Sequence, residues 1–131
     1  MKTITRASKT MPKNGIVKKY YKDGSLASVG KVNNRKNTGT WKHYLKNGQL
    51  RATGKFKNGK LDGPWKWYRE NGNLMQTGGF KDGERAGVWK RYRPDGTPYD
   101  EGRYIGEKRV GKWKSYDAKG KLAKTKTYKE V

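Results

Sequence analysis

The sequence predicts an all-β protein, an antiparallel β-meander of about ten short strands built from five tandem units with a period of 24 residues. Three observations support this fold class. Tryptophan, tyrosine and glycine recur at the same place in successive units, Asn-Gly or Asp-Gly pairs separate short extended runs, and apolar and polar residues alternate within those runs. A repeat of this length is typical of arrays in which each unit buries its apolar face only against its neighbours.

The repeats divide the chain into an arm and a domain. Residues 1–14 form a basic N-terminal arm that carries Lys2, Arg6, Lys9 and Lys13 and no acidic residue. This arm is interpreted either as a functional basic segment or as a poorly packed terminus. Residues 15–131 form the repeat domain. Its units are 15–38, 39–62, 63–86, 87–110 and 111–131.

Each unit opens with an extended run that contains a tryptophan column and a tyrosine column. The tryptophan column contains Trp41, Trp65, Trp89 and Trp113, with Val17 in the first unit, and the tyrosine column contains Tyr20, Tyr44, Tyr68, Tyr92 and Tyr116. Together with recurring leucine and glycine, these columns are expected to be the packing layer of the sheet. A platform on which a ligand stacks is the alternative interpretation.

A turn at Asn47-Gly48 joins the first strand of the second unit to residues 49–57, which alternate with period two. Asn-Gly favours a hairpin because glycine adopts positive φ at no steric cost. A second turn, Asn58-Gly59, then leads to the next unit. Each unit is therefore predicted to contribute two antiparallel strands.

Two registers are open for the hairpin within a unit. A two-residue turn pairs Trp41 with Gly54 and places Tyr44 opposite Arg51. A type I turn followed by a glycine bulge instead pairs Tyr44 with Leu50. The bulged turn is slightly favoured, because the Arg-Pro-Asp-Gly sequence of the fourth unit fits it.

Composition argues against several classes of function. The 131 residues include no cysteine, so disulfides and thiolate metal sites are impossible, and the single histidine, His43, has no second histidine to complete a metal site. We therefore expect neither catalytic residues nor a metal, cofactor or small-molecule substrate. No apolar run approaches the roughly 20 residues that span a bilayer. A cytoplasmic, non-transmembrane protein is expected, with peripheral membrane or nucleic-acid association still open.

The net charge of +22 is the most unusual feature of the composition. The residue after each tryptophan position is a lysine in all five units: Lys18, Lys42, Lys66, Lys90 and Lys114. Because successive members are two strands apart, these lysines are expected about 10 Å from one another in a row on one face. Lys55, Lys57, Lys81 and Arg103 are further candidates for polyanion binding. Alternatively, duplication merely copied a lysine that solvates the sheet.

The unit Gly-x-Trp-x-x-Tyr-x-x-Asn-Gly-x-Leu-x-x-x-Gly-x-Phe-x-Asn-Gly-Lys-x-x-Gly resembles the MORN repeat, in the variant form found in bacterial and viral proteins. The resemblance covers nearly the whole chain. It implies a β-meander that serves as a scaffold or binding module, with protein partners or anionic lipids, and some bacterial relatives are labelled antitoxins. It assigns no binding residue, because the matched positions are structural, and the charge departs from the family pattern.

These observations lead to three hypotheses for function. The first is a non-enzymatic binding module whose basic face meets an acidic partner: nucleic acid, anionic lipid or an acidic protein. The second is an antitoxin or immunity protein that occludes one specific toxin. The third is a structural component of a larger assembly, including a viral one.

Overall fold

The computed structural model describes residues 3–5 and 12–130. Across these residues, eleven strands form one antiparallel sheet in which spatial order follows chain order. The strands are β1 (Thr3–Thr5), β2 (Gly15–Tyr21), β3 (Leu26–Asn33), β4 (Lys36–Tyr44), β5 (Leu50–Lys57), β6 (Lys60–Tyr68), β7 (Leu74–Lys81), β8 (Glu84–Tyr92), β9 (Pro98–Ile105), β10 (Lys108–Tyr116) and β11 (Leu122–Tyr128). The predicted all-β meander is confirmed.

Ten strands come from the five repeat units, and the eleventh lies in the predicted basic arm. Strand β1 pairs with β2, with Ile4 opposite Tyr20. Lys2, Arg6 and Lys9 of the arm lie outside the described residues. The interpretation of the arm therefore stays a prediction.

The hairpin of the second unit combines features of both predicted registers. Trp41 pairs with Gly54, and Tyr44 pairs with Leu50. A β-bulge between His43 and Tyr44 reconciles the two pairings, because two residues of β5 face one residue of β4 there. The favoured pairing of Tyr44 with Leu50 is confirmed, and the pairing of Trp41 with Gly54 belongs to the same hairpin.

The turns between units use a different geometry. Asn58 and Gly59 have φ angles of 51° and 81°. Positive φ at both central residues is the requirement of a type I′ turn, whose twist matches that of the flanking strands. Beyond this turn the pairing changes from Phe56 with Leu61 to Gly54 with Trp65, through an irregularity that contains Gly63. The units thereby join into one continuous sheet.

The tryptophan column lies on one side of the sheet, here called the aromatic face. Each indole covers the glycine opposite it on the preceding strand, so that a Cβ added to Gly54 would lie 1.9 Å from the ring of Trp65. Each indole Nε1–H also donates to the next carbonyl on that strand, as from Trp41 to the Lys31 oxygen at 3.0 Å. Trp41 is only 1% exposed. The described residues form a single sheet with no second layer. The tryptophan rings are therefore shielded from water by packing against the backbone of the same sheet.

The tyrosine column lies on the opposite side. Tyr44 is two residues from Lys42, whose partner across the hairpin is Thr53, and alternation along a strand keeps Tyr44 and Lys42 on the same side. The tyrosines are half-buried there, as are the leucines paired with them in the first three units, Leu26, Leu50 and Leu74. The packing residues are thus divided between two faces, with tryptophan on glycine on one face and tyrosine beside leucine on the other.

Candidate polyanion-binding face

The predicted row of lysines exists as a continuous register across ten strands. Its members, called the lysine row, alternate with one residue from each intervening strand. In order across the sheet the residues are Lys18, Val29, Lys42, Thr53, Lys66, Thr77, Lys90, Glu101, Lys114 and Thr125. All five lysines are exposed. Successive lysines are two strands apart, which corresponds to about 10 Å.

The remaining candidates lie on the same side, called the lysine face. Lys55 pairs with Thr40, and Arg103 pairs with Val88, two residues along the strands from the lysine row. Lys57 and Lys81, near the ends of β5 and β7, each lie four residues after a threonine of the lysine row, so alternation along the strand places them on the same face. All four are exposed. The charge of Arg103 is partly compensated, because its guanidinium forms an ion pair with Glu130.

The lysine row itself is uncompensated by ion pairs. Within residues 12–130, the ion pairs join Arg85 to Glu107, Arg91 to Asp100 and Arg103 to Glu130. None of them uses a lysine of the row, so its ammonium groups remain available to an external anion.

One acidic residue interrupts the row. Glu101 stands between Lys90 and Lys114 and accepts a hydrogen bond from the Tyr116 hydroxyl at 2.9 Å. That hydrogen bond raises the pKa of Tyr116 above its ordinary value of 10.0. The first three lysines have only Val29 and Thr53 between them. The N-terminal part of the row is therefore its most basic part.

The lysine face also carries exposed aliphatic side chains. Ile16 and Val88 lie two residues before a lysine of the row on their strands, Ile105 lies two after Arg103, and Leu122 pairs with Tyr116. These four side chains are 52–62% exposed. Apolar groups and lysines therefore share one surface.

His43 lies on the aromatic face and is not a candidate for chemistry. Its imidazole stacks between the rings of Trp41 and Trp65, with centroid distances of 6.4 and 6.2 Å. Burial, followed by the charges of Arg51 and Lys19, lowers the pKa of His43 below 6.5. No group of three metal-ligating side chains occurs in the described part of the chain. The stacking assigns His43 a packing role.

Sequence analysis did not single out the arginines of the aromatic face. Arg85 and Arg109 lie over the rings of Trp89 and Trp113, with guanidinium carbons 5.4 and 4.3 Å from the centroids. Arg91 instead forms a two-pronged hydrogen bond with Asp100, at 2.8 and 2.6 Å, which raises the pKa of Arg91. A change of residue type at equivalent positions of the repeat is the signal that could have pointed to these arginines. Arg91, for example, occupies the position that His43 occupies two units earlier.

The family comparison agrees with the repeat geometry. The profile described as MORN repeat variant matches residues 13–34, 37–58, 61–82 and 109–130, which is more than half of the chain. The unmatched interval contains β8 and β9, where Trp89 nevertheless packs on Gly78 as in the other units. No curated protein matches the chain. Residues 3–5 and 12–130 contain no helix that is long and apolar enough to cross a bilayer.

Proposed function

Because this chain belongs to the MORN repeat variant family, whose repeats serve as binding or scaffold modules, we propose that its lysine face binds the surface of an anionic membrane. The observation that carries this proposal is the combination of the lysine row with exposed aliphatic side chains on one face. The binding is non-enzymatic. The ligand is a surface, so the protein needs no deep cavity to hold it.

Electrostatics provide the first part of the interaction. Each lysine or arginine near an anionic leaflet contributes about 1 kcal/mol. The five lysines of the row therefore contribute about 5 kcal/mol at low salt, less what screening removes. The sheet places all five on one face, since they stand in register across β2, β4, β6, β8 and β10.

Aliphatic insertion provides the second part. Ile16 and Val88 project from the same face as the lysine row, and burial of apolar surface contributes about 25 cal/mol per Å². The outer surface of duplex nucleic acid is a charged backbone, and apolar side chains enter it only by unstacking base pairs at an energetic cost. The tyrosines of this face are half-buried and offer little ring area for base stacking. These features favour a membrane over nucleic acid as the acidic partner.

Vesicle binding tests the proposal. The protein is mixed with vesicles of phosphatidylcholine alone or with phosphatidylserine added, and the bound fraction is measured by sedimentation. The test variant changes all five lysines of the row to glutamine. The control variant removes the same charge elsewhere, from turn segments and the aromatic face: Lys22, Lys46, Lys119, Lys121 and Lys124.

We expect wild-type protein to bind only the anionic vesicles, and the row variant to bind at least about tenfold more weakly than the control variant. An Ile16→Ser/Val88→Ser variant should bind anionic vesicles more weakly while keeping any affinity for duplex DNA. Equal losses in the two five-lysine variants would show that only net charge matters. Tighter binding to duplex DNA than to vesicles at the same salt would favour nucleic acid as the partner.

A further inference from the structure

A groove near the hairpin turns of the third and fourth units has a chemistry distinct from that of the lysine face. It has a volume of about 440 Å³ and is lined by Arg69, Met75, Arg91, Arg93, Pro94 and Tyr99, among others. This volume falls within the range of pockets that hold small organic ligands. We call it the arginine groove.

Two of its arginines are fixed in place by the neighbouring unit. Arg69 donates from Nη2 to the carbonyl oxygen of Tyr92 at 2.7 Å, and Arg93 donates to that of Tyr116 at 2.8 Å. Among residues 12–130, neither side chain has a hydrogen-bond partner for its buried Nε atom. The third arginine, Arg91, is neutralised by Asp100. The groove thus keeps two uncompensated, anchored guanidinium groups.

An aromatic ring forms part of the wall between these charges. Tyr99 is 43% exposed. The guanidinium carbons of Arg91 and Arg93 each lie 5.1 Å from its ring centroid. Met75 and Pro94 add apolar surface to the lining. The groove therefore places a guanidinium group that can bind an oxyanion next to a ring on which an aromatic ligand can stack.

The equivalent groove two units earlier shows that the fold does not need these arginines. It also has a volume of about 440 Å³, and its lining includes Tyr21, Leu45, Arg51 and Glu70. Tyr21 donates its hydroxyl to the carbonyl oxygen of Tyr44 at 2.7 Å, which is the contact that Arg69 makes in its own unit. Leu45 stands where Arg93 stands. Tyrosine and leucine suffice for packing, so the two arginines point to a ligand.

We propose that the arginine groove binds a small organic anion in which a phosphate monoester or carboxylate is attached to an aromatic ring. The oxyanion accepts hydrogen bonds from the guanidinium of Arg93, the anchored arginine that lies against Tyr99, and Arg69 adds a second positive charge to the groove. The ring stacks on Tyr99. This site is separate from the lysine face and does not depend on membrane binding.

Phenyl phosphate and benzoate are the probes, titrated into ¹⁵N-labelled protein and followed by two-dimensional NMR. The test variant, Arg69→Tyr/Arg93→Leu, replaces each arginine with the residue that fills its place two units earlier, so the fold is retained. The control variant, Lys66→Gln/Lys90→Gln, removes the same charge from the lysine row. Inorganic phosphate serves as the probe without a ring.

We expect at least one of the two probes to perturb the amide signals around Tyr99, with affinity reduced at least about tenfold in the test variant and within about twofold of wild type in the control. Inorganic phosphate should bind more weakly than phenyl phosphate. Equal losses in both variants would overturn the proposal, as would no binding of either probe. Equal affinity for inorganic phosphate and phenyl phosphate would indicate an adventitious ion only.

Discussion

The indole of Trp65 covers the α-carbon of Gly54 and donates its Nε1–H to the carbonyl oxygen of Lys55 at 2.9 Å. The same contact recurs in the later units, with Trp89 on Gly78 and Trp113 on Gly102. In a sheet without a second layer, an apolar face would be exposed to solvent. Here the large rings lie against backbone that bears no side chain, and this arrangement requires glycine beneath each ring.

The first prediction concerns this contact. Gly54→Ala places a methyl group 1.9 Å from the Trp65 ring, so the ring must move away from the backbone. We expect a loss of about 3 kcal/mol in the free energy of unfolding, the upper end of the usual cost of overpacking. Urea denaturation measures it.

A double-mutant cycle supplies the control for this prediction. Trp65→Val introduces the residue that the first unit has at this position, Val17, and leaves room for the methyl group. In that background Gly54→Ala should cost less than in the wild type. Equal costs in the two backgrounds would contradict the idea that the indole excludes a side chain at Gly54.

The second prediction concerns Arg91 and Asp100. The carboxylate of Asp100 is buried and is held by Arg91 at 2.6 and 2.8 Å. Arg91→His alone removes this partner and should cost about 2 kcal/mol, less than a fully buried pair because Arg91 is half exposed. Adding Asp100→Ala recreates the His43 and Ala52 pair of the second unit and should restore most of the stability. Thermal unfolding of the single and double variants measures both effects. If the two changes simply add, the pair is not coupled.

Periodicity was enough to predict the fold, because the tryptophan, tyrosine and glycine columns repeat with one period and each has a single structural role. The division of columns between two faces was harder to predict. It depends on the bulge between His43 and Tyr44, which shifts the register by one residue and brings Leu50 onto the tyrosine side. The position of a bulge depends on the geometry of the neighbouring turn, and it cannot be read from the alternation of apolar and polar residues.

The lysine row could be predicted as a set of residues and as a row, because every unit repeats it. The arginine groove could not be predicted in this way. Arg69 and Arg93 belong to a column that also contains Tyr21, Leu45 and Asp117. Reasoning from a repeat emphasises what the units share, whereas this groove depends on what distinguishes the third and fourth units from the others.

The third prediction extends the lysine row. Glu101 interrupts the row, and the equivalent positions of other units hold Thr53, Thr77 and Thr125. Glu101→Thr should therefore preserve the fold and strengthen binding to anionic vesicles by about fivefold, which corresponds to about 1 kcal/mol. Glu70→Gln, in an exposed turn, makes the same change in net charge away from the row. Equal gains from the two variants would mean that position in the row is unimportant.

The last prediction concerns His43 and pH. Burial between Trp41 and Trp65, and then the charges of Arg51 and Lys19, lower the pKa of His43 below 6.5 in the folded protein. The unfolded chain takes up a proton near pH 6.5, whereas the folded chain does so only at lower pH. The unfolded state therefore binds more protons between these two values, and the free energy of unfolding falls as the pH is lowered through this window.

Thermal unfolding of wild type and His43→Phe between about pH 7.5 and 5 measures this effect. Phenylalanine keeps a ring between the two indoles and cannot be protonated. His43 is the single histidine of the chain, and the hydrogen bonds that Asp23 and Asp95 accept from Ser25 and Thr97 lower their pKa values below 3.8, so neither carboxylate titrates in this range. We expect the wild type to lose stability below pH 6.5 and the variant to lose clearly less. Parallel curves for the two proteins would show that the imidazole titrates as freely in the folded sheet as in the unfolded chain.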